Sequence, residues 1–292
     1  MQLSFLIVTK NRPNELKFTL NKLRSLLDLS KHEVLVFVDG CHETQKIIQP
    51  YNWVKWTMGE KSVGASQARN KLYKKAKGKI LIGLDDDAHP ISNNFIAEVE
   101  KEFEKNNKLG IISFQEVRGI YESDFIALGH AKQGESYLTS DFIGCGFAIS
   151  NEVYNKTNGF PVWIDIYGEE PALALEVLDL NYEILFKNSI IVNHRVNREK
   201  RMKQGKNYFR FEKQLRNSIR YFLVYYPNPI LKIIKLLIHN FLKYAIKDIH
   251  YFKLFCKVCL STIFQLFTIL KFRKPVNKKT LKYKLNLRAL KY

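Results

Sequence analysis

The stretch that decides the fold is Ile80-Leu81-Ile82-Gly83-Leu84-Asp85-Asp86-Asp87. Its apolar run predicts a buried β-strand, and three carboxylates follow that run directly. Adjacent carboxylates repel one another and raise each other's pKa, which makes a merely solvated acidic turn the less favoured interpretation. A divalent cation removes this repulsion, and carboxylate oxygens suit Mg²⁺ or Mn²⁺. The triplet therefore predicts a metal site at the end of a strand.

Strand and helix patterns alternate on both sides of this stretch. Apolar runs predict strands at Leu3–Val8, Val34–Val38, Trp53–Trp56, Ile80–Leu84, Gly110–Phe114, Ile143–Ser150, Glu183–Phe186 and Ile190–Asn193. Helical spacing predicts helices at Gly64–Lys77, Asn93–Lys105 and Glu170–Leu178, and a further helix that begins near Pro13. This alternation predicts an α/β fold with a mostly parallel sheet and helices on both faces.

Polar clusters also follow the first two predicted strands. Thr9-Lys10-Asn11-Arg12 follows the first strand, and Asp39-Gly40 follows the second. Ligands of open α/β sheets bind beyond the carboxyl ends of the strands, so we expect these clusters to meet the acidic triplet at one edge. Turn formation and helix capping would explain Asp39 and Asn11 equally well. The triplet is the feature that favours a ligand site.

Excess basic charge is confined to the last third of the chain. The 292 residues include 47 Lys and Arg and 28 Asp and Glu, for a formal net charge of +19. Residues 201–292 contain 22 of the basic residues and two acidic ones, Glu212 and Asp248, so residues 1–200 are nearly neutral. Such asymmetry indicates a surface for a polyanion, either a membrane or a nucleic acid.

The same region predicts helices that associate with a membrane without crossing it. Lysines interrupt the apolar segment Ile230–Leu270, whose longest stretch without charge, Val258–Leu270, is shorter than the ~20 residues that a spanning helix needs. Amphipathic helices in the membrane interface fit this pattern, and helices packed on the core with lysines facing water are the alternative. The basic tail Lys271–Tyr292 would suit an anionic lipid surface.

Cysteine usage and the first residues favour a cytoplasmic protein. The four cysteines, Cys41, Cys145, Cys256 and Cys259, are too few and too scattered for a disulfide framework. The first residues lack the basic segment of a signal peptide, and the apolar run Phe5–Val8 is too short for one. We therefore expect a protein that is peripheral on the inner face of the cell membrane.

Several further motifs occur in a defined order over residues 1–226. They are FLIVTKNRP (5–13), VFVDG (36–40), GASQARN (64–70), AKGKILIGLDDD (76–87), GCGFAI (144–149), NGF (158–160), GEE (168–170), His194 and Arg216-Asn217. The ordered set resembles family 2 glycosyltransferases, which have the GT-A nucleotide-sugar fold. The resemblance implies a Rossmann-like GT-A catalytic domain over residues 1–226 and a basic helical region over residues 227–292.

The resemblance also implies a reaction and a set of residues that carry it. The reaction is an inverting, metal-dependent transfer of a sugar from a nucleotide-diphosphate sugar, with UDP-sugar favoured, to a glycan or lipid-linked acceptor in cell-surface polysaccharide biosynthesis. Glu170 takes the position of the base, and Glu169 is the second candidate. Mn²⁺ or Mg²⁺ would be held by Asp87, Asp85 and His194. The residues expected to bind or support the donor are Thr9, Asn11, Arg12, Asp39, Arg69, Asp85, Asp86, Gly144 and Gly146.

Structural explanations compete with some of these roles. Glu169 and Glu170 would also complement the dipole of the helix that they precede. Arg69 could be a residue of the helix surface, and Asp86, between two ligands, is expected to point to the other face as support. Gly144 and Gly146 would let the backbone approach the sugar, or would form a bulge or turn.

Four positions depart from the family pattern. Gly40 and Cys41 stand where the family often has Asp and Ser. In the E-E-x-D-L-x-x-R pattern, Ala172 and Glu176 replace the Asp and the Arg. These changes leave the metal and base candidates in place and bear on the identity of the donor and acceptor.

Two other functions are compatible with parts of the sequence. A nucleic-acid-binding protein could use the basic C-terminal region, but a phosphate backbone would avoid the acidic triplet and the nearly neutral residues 1–200. We therefore expect no nucleic-acid partner. A glycosyltransferase-like domain that binds a nucleotide sugar without catalysis is the third possibility, and the intact acidic motifs argue against it.

Overall fold

The computed structural model describes residues 1–197 and 205–290, which fold around a nine-stranded sheet. The strands are β1 Leu3–Thr9, β2 His32–Val38, β3 Val54–Met58, β4 Ile80–Asp85, β5 Ala88–Pro90, β6 Leu109–Arg118, β7 Tyr137–Leu138, β8 Gly146–Ser150 and β9 Glu183–His194. Their order is β3-β2-β1-β4-β8-β6-β9-β5, and β7 pairs with β9.

Helices precede, connect and follow these strands. The helices up to residue 197 are α1 Pro13–Leu26, α2 His42–Gln45, α3 Ala65–Tyr73, α4 Phe95–Lys105, α5 Asp124–Gly129, α6 Asn151–Lys156 and α7 Glu169–Asp179. Those after residue 205 are α8 Tyr208–Tyr225, α9 Ile230–Lys243, a 3₁₀ turn Ala245–Lys247, α10 Ile249–Phe264, α11 Leu266–Leu270 and α12 Lys278–Asn286. Residues 198–204 and the last two residues of the predicted basic tail lie outside the described residues.

The first four strands form the parallel half of the sheet. β2 and β4 flank β1, and β3 lies beyond β2, with every pairing parallel. Every residue of β2 is buried, as expected for a strand with helices on both sides. The strands predicted in this half are confirmed, and their carboxyl ends lie at one edge of the sheet.

The helix predicted over residues 64–77 is shorter than its pattern indicated. α3 stops at Tyr73, before the lysine-rich segment that precedes β4. The backbone N–H of Lys77 donates to Glu33 Oε1 at 2.7 Å, and that of Gly78 donates to Ser4 Oγ at 2.8 Å. Side chains of β1 and β2 therefore accept the backbone hydrogen bonds that a continued helix would need for itself.

The second half of the sheet, from β8 to β5, contains both parallel and antiparallel pairs. The alternation of strands and helices had predicted a mostly parallel sheet. β8 is antiparallel to both β4 and β6, whereas β6 and β9 are parallel to each other. β6 and β9 consequently run in the same direction as β4, and their carboxyl ends reach the same edge. β9 is a single strand where two were predicted, because a register shift opposite Phe114 and Gln115 accommodates residues 188–190 without ending the pairing. β8 begins at Gly146, later than the predicted Ile143.

Two hydrophobic cores cover the two faces of the sheet. One face is packed by α1 and α4, which contribute buried residues such as Leu16, Leu20 and Phe95. The other face is packed by α3, α6 and α7, with Leu72 and Leu173 among the buried residues. The prediction of an α/β fold with helices on both faces is confirmed.

The C-terminal helices form a layer that packs on the rest of the molecule. α8 contacts α9, α10 and α11. A cluster of buried side chains joins Phe211, Leu215 and Ile219 of α8 to Tyr251 and Val258 of α10. The region therefore contains packed helices, as one of the two sequence interpretations proposed.

The segment after α11 also lies on the core. The backbone N–H groups of Lys274 and Val276 donate to the carbonyls of Val224 and Tyr225 at 2.9 Å. In α12, the Thr280 hydroxyl donates to Asp179 at 2.6 Å. The described part of this tail is therefore anchored to the core. Its binding to a lipid surface stays a prediction.

None of the helices in residues 1–197 and 205–290 combines the length and the apolar character that a membrane span requires.

Candidate active site

The acidic triplet lies at the shared edge, and its middle residue points inward. Asp86 is buried, accepts a hydrogen bond from the Thr9 hydroxyl at 2.8 Å and pairs with Arg12 at 2.8 Å. Burial raises the pKa of Asp86 to about 7, although Arg12 opposes the rise. Thr9 and Arg12 hold the Asp86 carboxylate in place, and its supporting role stays a prediction.

The outer residues of the triplet meet the end of β9. One carboxylate oxygen each from Asp85 and Asp87 and one ring nitrogen of His194 lie within 4.8 Å of one another. Asp87 Oδ1 is buried, lies 3.3 Å from His194 Nε2 and accepts no hydrogen bond. Oxygen and imidazole donors that face one another in this way suit Mn²⁺ or Mg²⁺. The structure thus brings together the three predicted metal ligands.

Opposite charges keep Asp87 ionised. Burial alone would raise its pKa, but the neighbouring His194 and Arg12 side chains favour the ionised form and hold the pKa well below its usual range. Arg12 contacts both Asp86 and Asp87 through its guanidinium nitrogens. Arg12 therefore lies against the acidic triplet, and its predicted contact with the donor would be made from this position.

Glu116, which the sequence did not indicate, accepts a hydrogen bond from His194. His194 Nδ1 lies 2.5 Å from Glu116 Oε1 and Nε2 faces Asp87, so the carboxylate fixes both the tautomer and the orientation of the ring. Arg118 pairs with the second Glu116 oxygen at 2.6 Å. Cys145 completes a second group of candidate ligand atoms with Glu116 and His194. The sequence contained a signal for Glu116. It follows the predicted strand Gly110–Phe114, just as the other polar clusters follow the other predicted strands.

Arg69 links the metal candidates to the base candidates. It is buried in α3 and lies 2.8 Å from Asp85, 3.1 Å from Glu170 and 3.5 Å from Glu169. It also donates to the carbonyl of Gly144 at 3.2 Å. The interpretation of Arg69 as a surface residue is wrong, because its side chain is buried among three carboxylates.

Glu169 and Glu170 begin α7 in different environments. Glu169 is buried, its Oε2 has no hydrogen-bond partner, and burial and the neighbouring Glu170 raise its pKa to about 8. The Glu170 side chain is 21% exposed and faces a cavity of about 800 Å³. Glu170 is therefore the carboxylate of the pair that a substrate can reach.

Asn217 holds the turn that precedes these carboxylates. Tyr167 has a φ of +66°, unusual for a residue with a side chain, and Gly168 has a φ of +104°. The buried Asn217 side chain donates to the carbonyls of Ile166 at 2.8 Å and Tyr167 at 2.9 Å. The Arg216-Asn217 motif thus contributes to the site through the backbone that orients Glu170.

The two predicted glycines have different roles. A Cβ at Gly144 would lie 2.0 Å from Glu170 Oε1, so the absence of a side chain makes room for the carboxylate. A Cβ at Gly146 would lie 2.6 Å from Val192 Cγ2 inside the sheet. The structure supports a site position for Gly144 and the structural alternative for Gly146.

The polar cluster after β2 is engaged with a neighbouring loop. Asp39 accepts hydrogen bonds from the Ser62 hydroxyl at 2.7 Å and from the N–H groups of Val63 at 2.7 Å and Gly64 at 3.1 Å. These three bonds leave one acceptor position of the carboxylate, on Oδ1, for a further donor. The predicted donor role of Asp39 stays a prediction.

Asn11 and Cys41 meet at the ends of β1 and β2. Asn11 has a φ of +56°, and its N–H donates to Cys41 Sγ at 3.0 Å. Cys41, which replaces the family's usual Ser, is thus a buried acceptor for the turn after β1.

Glu176 stands where the family pattern has Arg, and it has a structural role. It is buried and accepts hydrogen bonds from the backbone N–H of Asn158 at 2.8 Å and from the Tyr225 hydroxyl at 2.6 Å. The side chain thereby joins α7 to α8.

We call the edge of the sheet that carries the acidic triplet, Arg69 and Glu170 the catalytic edge. The cavity beside Glu170 lies between this edge and the C-terminal helices. Its lining residues include Asp141, Gly144, Tyr167, Glu170, Asn207, Arg210, Gln214, Ser218, Leu236, Asn240, Tyr244 and Tyr251. Hydroxyl, amide and aromatic side chains of this kind suit a polar molecule with apolar faces.

Comparisons with known proteins agree with this architecture. Residues 4–156 match the family described as Glycosyl transferase family 2. An uncharacterized protein of Haemophilus influenzae is 31% identical over 107 residues, which are 34% of this chain and 57% of that protein. The chain therefore spans a little over half the length of that relative.

Solved structures show the same fold at low identity. GalNAc-T7, crystallised with UDP, GalNAc and Mn²⁺, has a TM-score of 0.61 at 19% identity, over 78% of this chain and 49% of its own. Staphylococcus aureus TarS 1-349 in complex with UDP-GlcNAc has a TM-score of 0.61 at 15% identity, over 88% and 79%. A mannosyltransferase of Pyrobaculum calidifontis with GDP-Man and Mn²⁺ has a TM-score of 0.56 at 14% identity, over 97% and 83%. The predicted GT-A fold is confirmed, and the chain belongs to glycosyl transferase family 2.

Proposed function

We propose that the protein is an inverting, metal-dependent glycosyltransferase that uses a nucleotide-diphosphate sugar, with UDP-sugar favoured. The observation that supports this most is the chain of contacts from Asp87 and His194 through Asp85 and Arg69 to Glu170. It connects a candidate cation site to a carboxylate that faces a cavity. Two of the structural neighbours were crystallised with Mn²⁺ and a nucleotide or nucleotide sugar.

Asp85, Asp87 and His194 would hold Mn²⁺ or Mg²⁺. Such an ion offsets the negative charge that develops on the leaving diphosphate. The buried Asp87 oxygen without a hydrogen-bond partner is the observation that fits a cation. Glu116 keeps His194 Nε2 directed toward Asp87, and Arg12 and Thr9 keep the triplet in place.

Glu170 would act as the general base. The acceptor oxygen attacks the anomeric carbon and the bond from that carbon to the diphosphate oxygen breaks, while Glu170 takes the hydroxyl proton. Attack opposite to the leaving group inverts the anomeric centre. Arg69 pairs with both Glu170 and Asp85 and so holds the base candidate beside the candidate cation site.

We propose a saccharide acceptor, either a glycan or a lipid-linked sugar of cell-surface polysaccharide biosynthesis. The cavity next to Glu170 has room for a saccharide, and Asn207, Gln214, Asn240 and Tyr244 supply polar and aromatic groups to it. We further propose that the protein works at the cytoplasmic face of the membrane. The exposed apolar and lysine side chains of the C-terminal helices support this placement.

The test is hydrolysis or transfer from a panel of nucleotide sugars with and without Mn²⁺. We expect metal-dependent turnover with a UDP-sugar, and a decrease of about 10²- to 10⁴-fold in kcat for Glu170→Gln. Glu104→Gln, an exposed position on α4, is the matched control and should retain full activity. Donor binding without turnover in the unmodified protein would instead favour a non-catalytic nucleotide-sugar-binding domain.

A further inference from the structure

Helix α9 carries one set of apolar side chains that are packed and a second set that is exposed. Ile233, Leu236 and Leu237 pack into the cluster formed with α8 and α10. Another row, spaced four residues apart, points away from that cluster. This row consists of Ile230, Ile234, Ile238 and Leu242, which are 69%, 45%, 54% and 54% exposed. An ordinary surface helix exposes polar residues at such positions, so the exposed row of α9 is unusual for a helix whose outer side meets only water.

The next two helices present more exposed apolar groups. In α10 and α11 they are Leu260, Ile263, Phe264 and Phe267, and Phe264 and Phe267 are more than four-fifths exposed. We call these four residues and the α9 row of Ile230, Ile234, Ile238 and Leu242 the outer face. Several large apolar side chains on neighbouring helices indicate an interaction surface rather than the isolated exposed residues found on any protein.

The charges around the outer face are basic. Exposed lysines occur along the segment from α9 to the residue after α11, at Lys232, Lys235, Lys243, Lys247, Lys253, Lys257 and Lys271. Among them, Lys257 pairs with Glu212 of α8 at 2.9 Å. The acidic residue of this segment, Asp248, is engaged by Lys206 at 2.5 Å and by the Tyr208 hydroxyl at 3.0 Å. Two copies of this surface would repel each other, whereas an anionic lipid leaflet complements it.

We infer that the outer face docks on an anionic phospholipid leaflet, with α9 to α11 lying in the membrane interface. The inference deepens the proposed function, on which it rests, by naming the surface that meets the membrane. α9 separates that surface from the cavity, because Leu236 and Asn240 line the cavity from its other side. The cavity beside Glu170 therefore lies about 10 Å, one helix diameter, from the headgroups.

Vesicle flotation of the full-length protein tests this docking. The probes are vesicles of phosphatidylcholine with phosphatidylglycerol, and vesicles of phosphatidylcholine alone. We expect binding to the first kind, weakened by high salt but not abolished, because salt screens the lysines and leaves apolar burial intact. The variant Ile234→Glu/Ile238→Glu should bind at least tenfold more weakly.

The matched control places the same two charges elsewhere. Ile120→Glu/Phe125→Glu alters two exposed apolar residues, 65% and 85% exposed, outside the C-terminal layer. It should bind vesicles like the unmodified protein. Equal binding by the Ile234→Glu/Ile238→Glu variant, or dimers of the unmodified protein that this variant dissociates, would overturn the docking inference.

A parallel donor-hydrolysis assay separates this inference from the proposed function. Hydrolysis by all variants without vesicle binding by any of them would refute docking and leave the enzyme assignment intact. Vesicle binding that depends on Ile234 and Ile238, without hydrolysis of any donor, would refute the enzyme assignment and support docking.

Discussion

The catalytic edge and the outer face of α9 to α11 differ in their side chains. Those of the edge are charged, buried and paired, whereas those of the outer face are apolar and exposed. At the edge, Arg69, Glu116 and Asp86 are buried or nearly buried, and each has two or more charged or hydrogen-bonding partners. On the outer face, apolar side chains such as Ile238 and Phe264 are more than half exposed. A buried polar group without a partner costs free energy, so a site made of charges requires a network around it. Exposed apolar groups need no such network. Their burial against a second surface lowers the free energy, which favours binding.

The largest effect is expected from removal of the C-terminal layer. Deleting everything after Tyr226 exposes Phe211, Leu215 and Ile219 of α8, which pack against Tyr251 and Val258. At about 1.5–3 kcal/mol for each large side chain, the loss approaches the whole stability of a typical domain. We expect the shortened protein to aggregate or to unfold at low denaturant concentration, as measured by circular dichroism.

The control for that deletion comes from the other side of the same layer. Ile234→Glu/Ile238→Glu should leave the midpoint of denaturation almost unchanged, because these side chains are exposed. A stable, folded protein that ends at Tyr226 would show instead that the predicted boundary between residues 226 and 227 separates independent units.

The next effect concerns the cation site at the catalytic edge. Asp87→Asn removes the charge of a buried carboxylate that faces His194. We expect Mn²⁺-dependent binding of UDP, measured by calorimetry, to weaken at least 10²-fold. Asp28→Asn, at an exposed carboxylate after α1, is the control. Unchanged UDP affinity in the presence of Mn²⁺ would remove Asp87 from the ligand set.

A smaller effect is expected when the partner of His194 is changed. Glu116→Gln keeps the size of the side chain but weakens its acceptance of the Nδ1 hydrogen. We expect Mn²⁺ affinity, measured by electron paramagnetic resonance, to fall about 10- to 100-fold. Glu183→Gln, at the start of β9, serves as the control for the same chemical change. Equal Mn²⁺ affinity in both variants would mean that Glu116 does not position the imidazole.

The last prediction concerns the pH dependence of stability. Burial raises the pKa of Glu169 to about 8 in the folded protein, above its unfolded value. The folded state therefore binds this proton more tightly, and its stabilising contribution is complete below about pH 4.5 and is lost as the pH rises through about 8. The contribution changes by at most about 1.4 kcal/mol per pH unit. Glu169→Gln should flatten the melting temperature between pH 5 and 8, and an identical profile would contradict the assignment.

Residues that follow strands were the part of the site that the sequence could predict. The clusters after β1, β2 and β4 were identified because polar residues after an apolar run mark a strand end, and parallel ends share an edge. Glu116 was missed, although it follows the predicted strand Gly110–Phe114 in the same way, because the sequence does not show that β6 runs in the same direction as β4. The antiparallel β8 between them decides that direction.

The sequence by itself determined the α/β alternation, the family and the acidic triplet, because these depend on local periodicity and on residues adjacent in the chain. The tertiary structure alone decided which carboxylates meet Arg69 and which of Glu169 and Glu170 faces the cavity, because burial depends on residues about a hundred positions away. It also decided which apolar side chains of the C-terminal region are packed and which are exposed. The packed and the exposed apolar residues of α9 both recur at helical spacing in the sequence. Only contact with α8 and α10 distinguishes the packed residues from those of the outer face.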